Sequence, residues 1–285
     1  MADPLGSGGG SGARGRGGGL NACGAPIDAG RLSALVSGTP FAGRIHARLI
    51  VDSTNDELRR LADRGAPDGS VVVAHAQSAG RGRLGRHWHS PAGLGLYLSV
   101  LFRGVDPGQP VTRWTLASAV AACRACRSSC GRSVEIDWPN DLVFEGRKLG
   151  GILAELRGRS ELIIGTGINV TQREEDLPPD LLPRVTSLSI AAGRIMLDRE
   201  RLASLYLREL AQVADSLRRA AWDEVARSWL ALAPGAVGRR VRVLSPMRFE
   251  GTTAGIDDTG ALLVRHGDGT TTAVRMADAV EAAEE

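Results

Sequence analysis

The stretch RIHARLIVD, residues 44–52, alternates apolar and polar positions with the period of a half-buried strand. Ser53-Thr54-Asn55 follows and can cap the helix NDELRRLADRG, which ends at Gly65. The turn Asp68-Gly69 leads into SVVVAHAQ, a β-branched strand. A Gly/Arg loop from Ala79 to Gly93 comes next, and then the strand LGLYLSVLF. Pro110 introduces an Ala-rich helix through about Cys130. Beyond it lie VEIDWP, a hairpin around Glu145-Gly146-Arg147, and the strands LGGILAEL and ELIIGTGINV. Strands and helices mixed within one segment predict an α/β (α+β) fold, a mixed sheet with packed helices. Pro178, Pro179 and Pro183 mark an irregular connection, and Asp198 caps an amphipathic helix pair running to about Leu232, ended by Gly235 and Gly238. The last fifty or so residues change to short strands separated by Asp258-Thr259-Gly260 and Gly267-Asp268-Gly269, the pattern of a small β-barrel. The chain is therefore divided into a flexible Gly-rich tail (1–26), a large α/β domain (27–233) and a C-terminal barrel domain (234–285).

Composition narrows the class. With 285 residues, 43% hydrophobic and 24% charged, the chain can bury a sizeable core and is neither disordered throughout nor collagen-like. No apolar run approaches the roughly 18 residues of a membrane span, and the charged N-terminus has no apolar h-region, so a cytoplasmic protein with no membrane partner is expected. Four cysteines in such a chain read as free thiols. A formal charge of +3 is too weak for a DNA-coating protein. The first 26 residues have no apolar period, and Arg14 and Arg16 there read as solvated charges. One count stands out: of 35 basic residues, only Lys148 is a lysine. Its compact ammonium can approach a reacting phosphate as a point charge, which a planar guanidinium does less readily.

Chemistry concentrates in two places. Gly80-Arg81-Gly82-Arg83-Leu84-Gly85-Arg86-His87-Trp88-His89-Ser90-Pro91 crowds like charges and glycines into one loop, at a cost in order and repulsion. An anion explains it: glycine backbones approach phosphate or carboxylate closely, arginines neutralise it, and Trp88 offers a flat face to a base. A mobile solvated loop and an RNA-binding loop are the alternatives. The second place is Asp137-Trp138-Pro139-Asn140-Asp141, continued by Arg147-Lys148-Leu149-Gly150-Gly151-Ile152-Leu153. It sets Lys148 at the foot of a strand beside small residues, with Asn140 and Asp141 as oxygen ligands for ribose or hydrated Mg²⁺.

Taken in order, Ser53-Thr54-Asn55, Gln77 through Arg86, Trp88, Ser90-Pro91, Trp138 through Asp141, Lys148 with Gly151-Ile152-Leu153, and Gly165 through Val170 resemble the biotin protein ligases. That family activates biotin with ATP and attaches it to a lysine of a carboxylase carrier domain. The resemblance runs from about Arg44 to the C-terminus. It implies the catalytic fold shared by biotin and lipoate ligases with a C-terminal SH3-like barrel, ATP and Mg²⁺ as requirements, biotin as substrate, and a biotin carboxyl carrier domain of acetyl-CoA or a related carboxylase as partner. It leaves a homodimer open. Ser53, Thr54, Asn55, Gln77, Gly80, Arg81, Lys148 and Gly151 match biotin-binding positions. Arg83, Arg86, Trp88, Asn140, Asp141, Lys148 and Asn169 match ATP-binding ones. Arg83 and Lys148 take the catalytic places and Asp141 is the metal candidate. The resemblance also implies a loop that closes over biotinyl-5′-AMP to exclude water.

There is one departure. The family carries a lysine before Trp-Pro-Asn-Asp, whereas Asp137 stands here, which implies either weaker ATP binding or a local ion pair with an arginine. No helix-turn-helix pattern precedes residue 44, so the form without a DNA-binding domain is expected and DNA is not an expected partner. Lipoate or octanoate transfer on the same fold, and a nucleic-acid-binding protein, are the rival readings. Cys123, Cys126 and Cys130 have metal-like spacing but share one face of a helix, which favours small core residues; neither Cys23 nor a nearby histidine supplies zinc's fourth ligand. His87 and His89 are ascribed to loop position, and His46 and His75 to structural roles in strands.

Overall fold

A computed structural model describes residues 24–193, 197–244, 248–275 and 280–282. Most of the expected tail, with Arg14, Arg16 and Cys23, lies outside them. Pairing is parallel between β1 (Ile45–Val51) and β2 (Val71–Gln77). Antiparallel ladders then join β3 (Gly95–Arg103), β7 (Glu161–Asn169), β6 (Arg147–Arg157), β5 (Asp141–Phe144) and β4 (Glu135–Asp137) in the order β1-β2-β3-β7-β6-β5-β4. The mixed sheet is thus as the pattern predicts.

Its two faces are filled by alternate residues of the same strands, as a period of two requires. Leu96, Leu98, Val100 and Phe102 of β3, with Leu162 and Ile164 of β7, face the main core. There α3 (Val111–Cys130) is backed by α5 (Arg199–Arg218) and α6 (Trp222–Leu232), which follow the single turn α4 (Leu188–Ala191). The alanines of α3 keep it close to its neighbours, and Cys123 and Cys126 are buried among them with their thiols pushed up by that burial. On the opposite face Val72, Leu101 and Ile163 pack under Leu58 and Ala62 of α2 (Thr54–Asp63).

That second face is covered only at one end. Two residues further along each strand, the register aligns Ser99 with Gly165 and Gly165 with Leu153. Two further still, it aligns Tyr97 with Gly167 and Gly167 with Gly151. Beyond α2 this face carries glycine at positions 165, 167 and 151, between Ser99 and Tyr97 on one side and Leu153 on the other, and so acquires a glycine floor.

The N-terminal segment departs from the reading of the sequence. Residues 27–43, to which no element was given, carry α1 (Ala29–Leu35), with the Asp28 side chain accepting from the Arg31 amide and Leu32, Val36 and Phe41 fully buried. Arg199, buried at the start of α5, donates to Ala25 O, and Glu200 accepts from the Asp28 amide at 3.0 Å. Residues 24–26, which the sequence reading assigned to the tail, are therefore tied to the catalytic domain through Ala25. The last strands are β8 (Val237–Val243), β9 (Phe249–Ile256), β10 (Leu262–Arg265), β11 (Thr271–Val274) and β12 (Val280–Ala282). They form a separate antiparallel sheet in the order β11-β10-β9-β8-β12, and no ladder joins β11 to β12 among the described residues. The pairings among the described residues give one five-stranded antiparallel sheet, which matches the expected C-terminal β-domain without confirming a barrel.

Burial, and then the charge of Arg199, hold His75 below its unfolded value of 6.5, and its Nδ1 is buried without a partner. A histidine depressed in this way costs stability as pH falls below 6.5, because the unfolded chain binds a proton that the fold resists. The thermal midpoint should therefore drop between about pH 7.5 and about pH 5.5, and His75→Gln should blunt that drop. An unchanged slope in the variant would refute this.

Candidate active site

Three segments converge over the glycine floor. The first is the turn from β1 into α2. Ser53 occupies the N-cap position, yet its side chain makes no capping bond. Gln77, at the end of β2, accepts instead from the Thr54 amide at 2.8 Å and from its hydroxyl at 3.2 Å, while its amide nitrogen donates to Ser90 Oγ at 2.8 Å. Ser99 Oγ lies 2.7 Å from Thr54 Oγ1 and 2.6 Å from Asn55 Oδ1. The result is a buried, uncharged network of hydroxyls and amides, suited to a neutral polar ring such as a urea.

Asn55 is committed inside that network. It donates to Glu155 at 2.7 Å, and a Cβ on Gly165 would collide with its Oδ1. Its place is beneath the turn.

The second segment is the Gly/Arg loop, a tight hairpin of its own. Trp88 N donates to Gly80 O at 2.8 Å, Gly82 N to Arg86 O at 2.7 Å, and Leu84 at the tip has a φ of 58°. Gly80 is required because a Cβ there would lie 2.5 Å from Trp88 O. Arg81 folds back onto Asp56 at 2.9 Å and Glu155 at 3.1 Å. Arg83 crosses to Asn140 Oδ1 at 3.1 Å. The Trp88 indole lies on Gly167, and its Nε1 is buried without a protein acceptor.

The third segment is the β4–β5 turn with the start of β6. A bulge slips the β5–β6 register between Leu142 and Val143, so that Leu149 turns into the core while Lys148 meets Asp141 on the site face. Lys148 Nζ lies 2.7 Å from Asp141 Oδ1 and 5.7 Å from the centre of the Trp88 ring. Its backbone is pinned by Arg184 O and the Thr186 amide, which is the work of the proline-rich connection. Asn140 Nδ2 donates to Ile152 O at 3.0 Å, and Gly151 leaves ordinary contact distance to Asn140 and Asp141. Asp137 pairs with Arg239 of β8 at 2.9 Å, the ion-pair alternative of the two its sequence position implied.

Asn169 sits at the end of β7, buried, donating to Thr186 O at 3.0 Å and accepting from Gln172 at 3.1 Å. Arg86 lies at the exposed foot of the loop tip, where its backbone closes the hairpin. The structure therefore gathers Thr54, Gln77 and Gly80 at one end, and Arg83, Trp88, Asn140, Asp141, Lys148 and Gly151 at the other. Ser99, Asp56, Glu155 and Arg239 escaped sequence reasoning. Ser99, the one small polar residue in the apolar run LYLSVLF, was the one visible signal among them.

Gly167→Ala should test the floor. A Cβ there would stand 2.6 Å from Trp88 Nε1 and 2.7 Å from Cε2, so the indole has to move. On the resemblance that puts ATP against Trp88 and biotin against Gln77, an overpacked contact of this kind should raise the KM for ATP about tenfold while leaving biotin affinity nearly unchanged. Equal loss for both ligands would contradict the separation into two ends.

Residues 47–169 match the model of the Biotin/lipoate A/B protein ligase family, and residues 236–278 that of the Biotin protein ligase C terminal domain. The biotin--[acetyl-CoA-carboxylase] ligase of Mycobacterium tuberculosis is 38% identical over 241 residues, covering 80% of this chain and 85% of that one. The bifunctional ligase/repressor BirA of Bacillus subtilis is 36% identical over 225 residues, covering 77% and 69%. Among solved structures, the biotin protein ligase of Aquifex aeolicus in complex with biotin and ATP superposes with a TM-score of 0.75 at 26% identity, covering 85% of this chain and all of that one. The chain belongs to the biotin protein ligase family.

Proposed function

We propose that this chain forms biotinyl-5′-AMP from biotin and ATP and transfers the biotinyl group to a lysine of a biotin carboxyl carrier domain, that of acetyl-CoA carboxylase or a related carboxylase. The observation that carries the proposal is the meeting, over one glycine floor, of an uncharged amide network at Gln77 and Thr54 with a cation pair at Lys148 and Arg83. Biotin has a matching polarity: a neutral urea at one end and a carboxylate at the other.

In the first step a biotin carboxylate oxygen attacks the α-phosphorus of ATP. The bond to the β-phosphate bridging oxygen breaks, and pyrophosphate leaves with the electron pair. Both reactants are anions, so Lys148 and Arg83 offset their repulsion and stabilise the charge that develops on the phosphoryl oxygens. Trp88 is the flat surface for the adenine, with its unpartnered N–H nearby. Among the described residues no group of three or more metal-binding side chains occurs. Asp141 is the carboxylate that would meet a Mg²⁺ ion arriving with ATP, and the ion would supply screening of phosphate charge. In the second step the deprotonated amine of the carrier lysine attacks the anhydride carbonyl, an amide forms, and AMP departs. The loop hairpin keeps water from the anhydride meanwhile.

Arg81 and Arg83 are engaged by Asp56, Glu155 and Asn140, which argues against a loop left open for nucleic acid. Lipoate and octanoate lack a urea for Gln77 to read. Pyrophosphate release that requires biotin, and that excess lipoate neither replaces nor inhibits, is the expected result. Turnover with lipoate would overturn the assignment.

A further inference from the structure

Resting on the ATP-dependent reading above, we propose that Arg239, from the C-terminal sheet, is a positioning residue for ATP: it neutralises Asp137 and thereby keeps the Lys148 ammonium available to the phosphates. The register of the β4–β5 hairpin places Asp137 directly opposite Asp141. Residues so paired share a face about 5 Å apart, and like charges there repel. Each carboxylate has its own cation: Lys148 Nζ on Asp141 at 2.7 Å, and Arg239 Nη2 on Asp137 at 2.9 Å. Only the first of these cations belongs to the catalytic domain.

Arg239 is held for this task. Its amide donates to Thr253 Oγ1 at 3.0 Å, and its guanidinium lies over Gly235, where a Cβ would come within 3.0 Å of Cζ. A second tie runs beside it, with Trp138 Nε1 donating to Gly260 O at 3.1 Å. The residues that follow these ties are the ones the site uses, Asn140 on Arg83 and Asp141 on Lys148. Without Arg239, the Asp137 carboxylate would stand uncompensated beside Asp141, repel incoming phosphate and compete for Lys148. The Asp137 that departs from the family pattern is thereby made harmless by a residue about a hundred positions away.

The test uses the full chain in four forms: parent, Arg239→Gln, Asp137→Asn and the double variant. ATP affinity is read by titration, the KM for ATP by pyrophosphate release, and folding by the thermal midpoint. Arg239→Gln should weaken ATP about tenfold, the effect of one uncompensated charge near a cation at an interfacial dielectric. Its kcat should change less, and Asp137→Asn alone should stay close to the parent. The double variant should regain the ATP affinity of Asp137→Asn, since removing the carboxylate removes the need for its partner. High salt should shrink the defect of Arg239→Gln. Parental ATP affinity in Arg239→Gln would overturn the proposal. So would a double variant as poor as Arg239→Gln, which would make Arg239 a mere fastener of the sheet. A parent that binds ATP but releases no pyrophosphate with biotin would instead count against the biotin ligase reading, and the affinities of the four forms would still decide the role of Arg239.

Discussion

Lys148→Ala should cut the rate of adenylate formation about 10³-fold, the scale on which removing one group aimed at developing charge usually acts. Lys148 lies between Asp141 and the Trp88 face, half-exposed toward the site, with its backbone clamped on both sides. Its loss removes a cation from the reacting phosphate and also leaves Asp141 uncompensated beside it. Lys148→Arg should recover little of the rate, because a planar fork matched to Asp141 cannot approach phosphorus as an ammonium does. Biotin affinity without ATP should change far less, since Gln77 and Thr54 lie at the other end of the floor. Biotin-dependent pyrophosphate release and biotin titration separate the two effects. A Lys148→Ala variant within a few-fold of the parental rate would remove Lys148 from the chemistry.

Arg83→Ala should act on retention. Its guanidinium crosses from the loop tip to Asn140, joining the hairpin to the turn that carries Asp141. With that bond gone the tip is freer to open, and the anhydride it encloses should escape about 10²-fold faster. Adenylate would still form through Lys148, so the variant should release reactive biotinyl-5′-AMP into solution. Gel filtration of the protein after incubation with labelled biotin and ATP measures what stays bound. Equal retention by variant and parent would assign loop closure to other residues.

What the sequence disclosed, and what it withheld, follows from the range of the interactions. Strands and caps written in consecutive residues were legible: the β-branched run that became β2, the Asp198 cap, whose side chain accepts from the Glu200 and Arg201 amides, and the Glu145-Gly146 turn with both residues at positive φ. α1 was passed over because only seven residues carry it and its burial depends on α5, far along the chain. Lys148 stood out by its rarity, but the bulge that aims it is a property of pairing with β5. Ser53 was legible as a cap position, while the group that meets the helix start, Gln77, comes from another strand. Asn55 read as a ligand contact because its spacing matches a motif; its partners Glu155 and Ser99 are visible only once three strands lie side by side. Asp137 carried its charge in plain view, and its arginine lay about a hundred residues further on.

ATP-dependent transfer of labelled biotin to a purified carboxyl carrier domain, by the parent and by Lys148→Arg, tests the central claim most directly. Stable label on the carrier lysine with the parent, lost without ATP and nearly lost in Lys148→Arg, is the predicted result. No transfer and no biotin-dependent pyrophosphate release by a folded parent would contradict it.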